Sequence, residues 1–208
     1  LSSEGGEMKA PSGEYEMVVY SLGTEMTQVN HLSHKDEAEA FTSDVTLLYA
    51  DLFKMTVCND SAMSNKGFDY SYEQDPIVYY PDHVYVSNRN YISVPSFMDP
   101  GNELIVRATA TSIVEVYSLE VYGVQSLENI RRVDAFVSGQ VKSCYFARPE
   151  TSMESTTLYV PMSVDYEENR LFTVFGTFGK YPGAENKVYL DIILTTYANE
   201  CFRYVYDV

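Results

Sequence analysis

Two histidines three residues apart, His31 and His34, stand just before Asp36 and Glu37. Imidazole and carboxylate donors in that order are the raw material of a divalent-metal site. The spacing suits one face of a helix, yet the flanking residues do not carry a helical pattern, and the third histidine, His83, is far off in sequence. The segment reads as a polar surface turn, and no metal ligand is assigned. Paired carboxylates are plentiful at Glu14 and Glu16, at Asp36 to Glu39 and at Asp165 to Glu168. Glycoside hydrolysis needs two carboxyl groups opposed across a cleft, which neighbours in sequence do not supply, so these read as solvated charges on turns. No D-x-D-x-D-G run offers a calcium loop, no G-x-S-x-G elbow a serine nucleophile, and no glycine-rich loop a phosphate cradle. Cys58, Cys144 and Cys201 are odd in number and lack paired spacing. A Cys144–Cys201 bridge is one arrangement, and three buried or half-buried free thiols the simpler one. Tyr79, Tyr80, Tyr85 and Tyr91 could stack on sugar rings, but the chain has no Trp, and packing within sheets accounts for them as well. No catalytic, cofactor-binding or metal-binding residue follows, and no cofactor is expected.

The elements that would position such residues are strands. The chain has 208 residues, 45% hydrophobic, with 19 Tyr and no Trp. That is enough apolar material for a packed core and a composition inclined to sheet. A net charge of -16 speaks against nucleic-acid binding, which needs clustered Lys and Arg, and suits a surface protein. No run approaches the roughly 18 apolar residues of a membrane helix. The opening LSSEGGEMKAPSGE is polar and rich in Gly and Ser, like a tether, with any targeting signal expected upstream.

The second half alternates clearly. LIVRATAT (104–111) puts Leu104, Val106, Ala108 and Ala110 on one face. Residues 113–123 begin with Val114 and Val116 inward, then move the apolar face to Tyr117, Leu119 and Val121, as a bulge or bend would. RVDAFVSGQV (132–141) follows. Leu158, Val160, Met162 and Val164 come next, with Pro161 assigning that strand to an edge. RLFTVFGTF (170–178), KVYLDIILTT (187–196) and CFRYVYDV (201–208) complete seven strands, the pattern of a β-sandwich. In the first half, strands are expected at YEMVVYSL (15–22), LFKMTVCN (52–59), PIVYYP (76–81), HVYVS (83–87) and YISVP (91–95), with a helical turn within 35–53. Pro and Gly break the pattern at 94–103, so the expectation is two tandem β-sandwich domains, 1–98 and 99–208. GVQSLENIRRVDAFVSG (123–139) reads as strand end, one helical turn and strand start. Leu127 and Ile130 cap the second sandwich, and Arg131 and Arg132 face water.

The carboxy-terminal order of VYSLEVYGVQSLENI, RRVDAFVSGQV, a loop with YFARPE, TLYVPMSV, LFTVFGTFG and a closing KVYLDIILTT–RYVYDV hairpin resembles a known family. So do YEMVVYS and PDHVYVSNRNYISVP in the first half. The family is that of the fimbrillin-related accessory and anchor subunits of Bacteroides-type fimbriae, which are surface lipoproteins. The resemblance implies an all-β chain of two tandem transthyretin-like (Ig-like, Greek-key) sandwiches. It also implies a non-enzymatic protein that assembles, anchors or attaches fimbriae at the outer membrane. Implied partners are other fimbrial subunits, by strand addition at a sandwich edge, and the membrane, through a lipidated cysteine expected upstream of Leu1. Family stalk subunits polymerise after an Arg-specific cleavage near the amino terminus. Here no Arg precedes Arg89, which favours an unprocessed, anchor-like role, and the chain stops at Val208 where relatives often continue. The alternative is a surface lipoprotein adhesin that binds glycan or host protein outside any fimbria.

Overall fold

A computed structural model describes residues 6–21, 25–45, 75–97, 102–148, 150–183 and 188–208. The expected strand at 52–59 and Cys58 lie outside the described residues. Within them the chain is nearly all β, interrupted by one 3-10 turn at Leu127–Asn129. In chain order the strands are β1 (Gly13–Tyr20), β2 (Thr27–Asn30), β3 (Glu39–Thr42), β4 (Ile77–Tyr79) and β5 (Tyr85–Val94). They continue as β6 (Thr111–Ser112), β7 (Glu115–Tyr122), β8 (Ile130–Val141), β9 (Ser143–Tyr145) and β10 (Ser155–Asp165). The last are β11 (Arg170–Thr177), β12 (Tyr189–Thr196) and β13 (Cys201–Asp207). They form a seven-stranded sheet ordered β13-β12-β8-β10-β11-β7, with β4 also on β10, and two three-stranded sheets, β1-β5-β6 and β2-β3-β9. All pairings are antiparallel except β4 with β10.

β8 organises the molecule. Its residues 133–137 alternate between two cores on opposite faces of the large sheet. Val133, Ala135 and Val137 join Leu158, Val160, Leu171, Phe175 and Ile192 on one face. Phe136 joins Ile77, Tyr159, Tyr189, Ile193 and Val205 on the other. A strand covered on both faces cannot follow a simple apolar-in, polar-out rule, and Asp134 and Ser138, which the sequence places on a polar face, are fully buried. Between Thr156↔Gln140 and Leu158↔Val137, β8 spends two residues against one of β10, with Gly139 at φ 66°. Such a bulge bends the strand, and glycine adopts that backbone without a Cβ clash. Past the bulge, Val141 enters a third core with Val84, Val86, Val114, Cys144, Phe146 and Phe178. One strand thus serves all three cores.

Several expectations need correction. Residues 104–110 belong to no strand and are exposed, because only Thr111 and Ser112 find a partner, in β5. Six of the seven expected carboxy-terminal strands form, and β4 from the first half takes the remaining place in the large sheet. Pro161 does not mark an edge. β10 lies inside the sheet, paired with β8 on one side and with β4 (157–159) and then β11 (163–165) on the other. Pro161 falls in the gap between those last two pairings, where the neighbour changes. Val116 points outward and is 48% exposed, while Leu119 and Val121 do face the core. Within 35–53, the described residues hold β3 and a single turn that closes from Ala38 N–H to the His34 carbonyl, 3.0 Å. HVYVS and YISVP form one strand, β5, and β2 and β9 arise where no alternation announces them.

Gly176 on β11 shows how tightly the sheets meet. A Cβ there would lie 2.4 Å from the Pro81 carbonyl oxygen and 2.6 Å from Val114 Cγ1. The Pro81 backbone cannot yield without moving β4 and β5. Gly176→Ala is therefore expected to destabilise the fold by about 1–3 kcal/mol, read as a lower urea midpoint at unchanged m-value.

Candidate functional site

The large sheet has two free borders among the described residues: β7 pairs only with β11, and β13 only with β12. Between them opens a groove of about 650 Å³. Val121 and Val124 form one lip, Leu171, Ile192 and Leu194 the floor, and Phe202, Tyr204 and Tyr206 the other lip. Val121, Val124 and Leu194 are only partly buried and pack on the first core, so the groove is an opening into that core. The 3-10 turn closes one end. Leu127 and Ile130 are 4% and 6% exposed, and they pin the 123–130 segment to the core. Tyr197 N–H donates to the Asn129 carbonyl at 3.0 Å, and Arg131 Nη1 donates to Asn199 Oδ1 at 3.0 Å. These bonds tie the turn to the β12–β13 connection. Leu127 and Ile130 are thus buried members of the first core at the end of the groove.

The groove lining is mostly apolar and aromatic, with Gln125, Ser126, Asn129, Thr196 and Glu200 as polar members and Tyr122, Tyr197 and Tyr206 exposed at the rim. Such a surface suits apolar side chains and ring stacking. The outer face of the β7 lip is polar. Tyr122 donates to Glu120, and Arg170 pairs with Glu120 at 3.0 Å and Asp165 at 3.2 Å. The Tyr122 hydroxyl and then the Arg170 guanidinium hold Glu120 below the usual carboxylate range. Asp165 also accepts the backbone N–H groups of Glu167 and Glu168, so the 165–168 carboxylates belong to a capped turn.

The opposite face of the sheet carries buried charge. Asp134 Oδ1 accepts from Arg132 Nε at 2.9 Å, Arg132 Nη2 at 2.7 Å and the Tyr159 hydroxyl at 2.8 Å. Asp134 Oδ2 has no hydrogen-bond partner. Two positions along the same face, Asp191 Oδ1 accepts from Arg203 Nε at 2.6 Å. Arg132 is thus not a solvated neighbour of Arg131 but the counter-charge of a fully buried carboxylate. Arg132 and Asp134 stand two apart on β8, the pairing of β12 with β13 brings Arg203 to Asp191, and the pairing of β8 with β12 sets the two ion pairs side by side.

The other candidates scatter. His31, with φ 54°, and His34 sit in an exposed turn. Glu16 pairs with Lys35, Glu14 accepts from Ser93, and Glu39 accepts from Ser143 at 2.7 Å. Tyr79 meets Tyr159 edge-on and Tyr80 packs on the first core, whereas Tyr85 stacks beside His83 and Tyr91 is 79% exposed. Cys144 and Cys201 are free thiols, the first buried.

Burial pushes the Tyr159 phenol well above its usual range, and its hydrogen bond to Asp134 adds to this. A group whose folded pKa is raised contributes stability that is intact below the unfolded value, about 10, and is lost as pH rises beyond it. The alkaline limb of unfolding should therefore begin near pH 10 and flatten in Tyr159→Phe. Burial also pushes the Cys144 thiol up to about 11. A thiol reagent at pH 8 should modify Cys144 only as the protein unfolds, in step with the denaturation curve.

The fold matches that of a solved structure. A crystal structure described as "a putative adhesin from Bacteroides ovatus ATCC 8483" superposes with a TM-score of 0.63 at 21% identity, covering 98% of this chain and 68% of that one. The fimbrial anchor protein Mfa2 from Porphyromonas gingivalis superposes with a TM-score of 0.45 at 12% identity, covering 94% of this chain and 60% of that one. In sequence, a Bacteroides ovatus protein named "Putative fimbrium anchoring subunit Fim4B" is 26% identical over 147 residues. That match covers 70% of this chain and 36% of the relative, so the chain spans about a third of the relative's length. The relatives found are of the fimbrial-anchor and adhesin kind that the sequence resembles. Over residues 1–161 the chain matches the model described as "Domain of unknown function (DUF5119)", and it belongs to that family.

Proposed function

We propose that this chain is a non-enzymatic, cell-surface component of a fimbria, of accessory or anchor type, held at the outer membrane by lipidation. One observation carries the reading: a largely apolar groove opens into the main core between two sheet borders, β7 and β13, that have no further strand partner among the described residues. Unpaired N–H and C=O groups beside exposed core are the ingredients of strand addition, in which backbone bonds supply affinity and alternate side chains supply specificity. The partner is another fimbrial subunit, in keeping with the relative named as a fimbrium anchoring subunit. Two transthyretin-like sandwiches divided near residue 98 are the matching architecture. Contacts cross that division: β9 pairs with β3, β4 pairs with β10, and Val114, Val141, Cys144, Phe146 and Phe178 share a core with Val84 and Val86.

A second reading, an adhesin outside any fimbria, draws on the exposed rim tyrosines Tyr122, Tyr197 and Tyr206. One experiment separates the two. The purified protein is used as bait for surface fimbriae of the source organism, and captured subunits are identified by mass spectrometry. The fimbrial reading expects fimbrial subunits to be retained, and lost with Val124→Asp at the lip, in a variant whose urea midpoint shows that it is still folded. Absence of fimbrial subunits from the wild-type capture refutes it. Saturable binding on a glycan array, abolished by Tyr122→Ala and Tyr197→Ala, would then establish the adhesin.

A further inference from the structure

Residues 102–110, NELIVRATA, belong to no strand and pair with no strand among the described residues, although Leu104, Val106, Ala108 and Ala110 alternate as in a strand. Leu104 is 47% exposed, Ile105 74% and Val106 40%, and Arg107 has no ion pair among the described residues. A β-prone, apolar stretch left in water is poised to join a sheet border. The border of β7 offers the matching pattern. Its inward row is Tyr117, Leu119 and Val121, and its outward row is Ser118, Glu120 and Tyr122.

We propose that residues 104–110 of one copy add antiparallel to β7 of a second copy, with Arg107 opposite Glu120, whose carboxylate it shares with Arg170. That register places Val106 against Val121 and Ala108 against Leu119, continuing the apolar lip of the groove. On the other face it places Ile105 against Tyr122 and Thr109 against Ser118. Charge and apolar rows agree together, and a slip of one residue would turn Arg107 into the apolar row. The segment cannot reach its own β7 in this register, because the turn would fall at Ile113–Val114. Those residues are committed elsewhere: Ile113 N–H donates to the Val84 carbonyl at 3.0 Å, Val114 is 6% exposed, and Thr111 and Ser112 pair with Val86 and Tyr85. The contact joins two different surfaces, so it builds head-to-tail chains of copies. It goes beyond the fimbrial reading and does not require it.

Directly opposed positions of an antiparallel pair lie within disulfide reach, which makes Thr109 and Ser118, both exposed, the probe. Purified Thr109→Cys and Ser118→Cys proteins are mixed under mild oxidation and the linked dimer is read on a non-reducing gel. The mixture should cross-link, whereas Thr109→Cys mixed with Asp36→Cys, in a remote exposed turn, should not. Adding Arg107→Glu to the Thr109→Cys protein should lower the yield about tenfold, the size of turning an attractive cross-strand charge pair into a repulsive one. Glu120→Arg on the Ser118→Cys protein should recover it. A yield no higher than the Asp36→Cys control, or one indifferent to Arg107→Glu, overturns the proposal. Purified protein alone is used, so such a failure is separate from a failure to capture fimbriae.

Discussion

The structure depends on one strand being buried on both faces. β8 supplies Val133, Ala135 and Val137 to one core, Phe136 to a second and, beyond the Gly139 bulge, Val141 to a third. A central strand in that position has no solvent face for its polar residues, so each must find a partner inside. Ser138 does so by accepting the Tyr189 N–H at 2.9 Å, and Asp134 through Arg132 and Tyr159. The buried carboxylate is costly to desolvate, and its pairing offsets that cost without turning it into a large net gain. Its effect is on register. Tyr159 meets Asp134 only when β8 and β10 pair as they do, whereas Arg132 lies two residues away on β8 itself, so a slipped strand would cost the buried carboxylate its phenol partner.

That constraint also shapes the open side of the molecule. With β8 and β10 held in the middle, the sheet runs outward to β13 on one side and β7 on the other, and its curl brings the two borders to either side of one groove. The groove exists because the inward rows of β7, β11 and β12 are apolar while no described strand lies between β7 and β13. Polar groups are kept to the outer face, where Arg170 is shared by Glu120 and Asp165.

Much of this was legible in the sequence. Alternation marked β7, β8, β10, β11, β12 and β13, because each carries an apolar row at every second residue, shifted in phase along β7 and joined by apolar residues of the second face in β8 and β12. The short turn at 127–129 was legible too, since Leu127 and Ile130 stand three apart before the alternation begins. Pairing was not legible. Nothing in PIVYYP says that β4 will lie parallel to β10, and nothing in Arg132 and Asp134 says that the second face of β8 is covered. Residues 104–110 misled for the same reason: their pattern is that of a strand, but a strand needs a neighbour, and the chain commits Thr111 and Ser112 to β5 instead. The groove escaped notice because it is made by two borders 80 residues apart in sequence and not by any local motif (β7 near 120, β13 near 204).

The parallel pairing of β4 with β10 has a further consequence in time. β4 is three residues long, and Ser155 and Thr156 reach back across 80 residues to Asp75 and the Pro76 carbonyl. Antiparallel neighbours such as β10–β11 and β12–β13 close over short turns and assemble early, whereas a contact of this span waits until its loop-closure entropy can be offset by a sheet already in place. Until then Ile77 and Val78 are missing from the two cores that they join on opposite faces of the sheet. A strand of three residues that arrives late thus completes both faces at once.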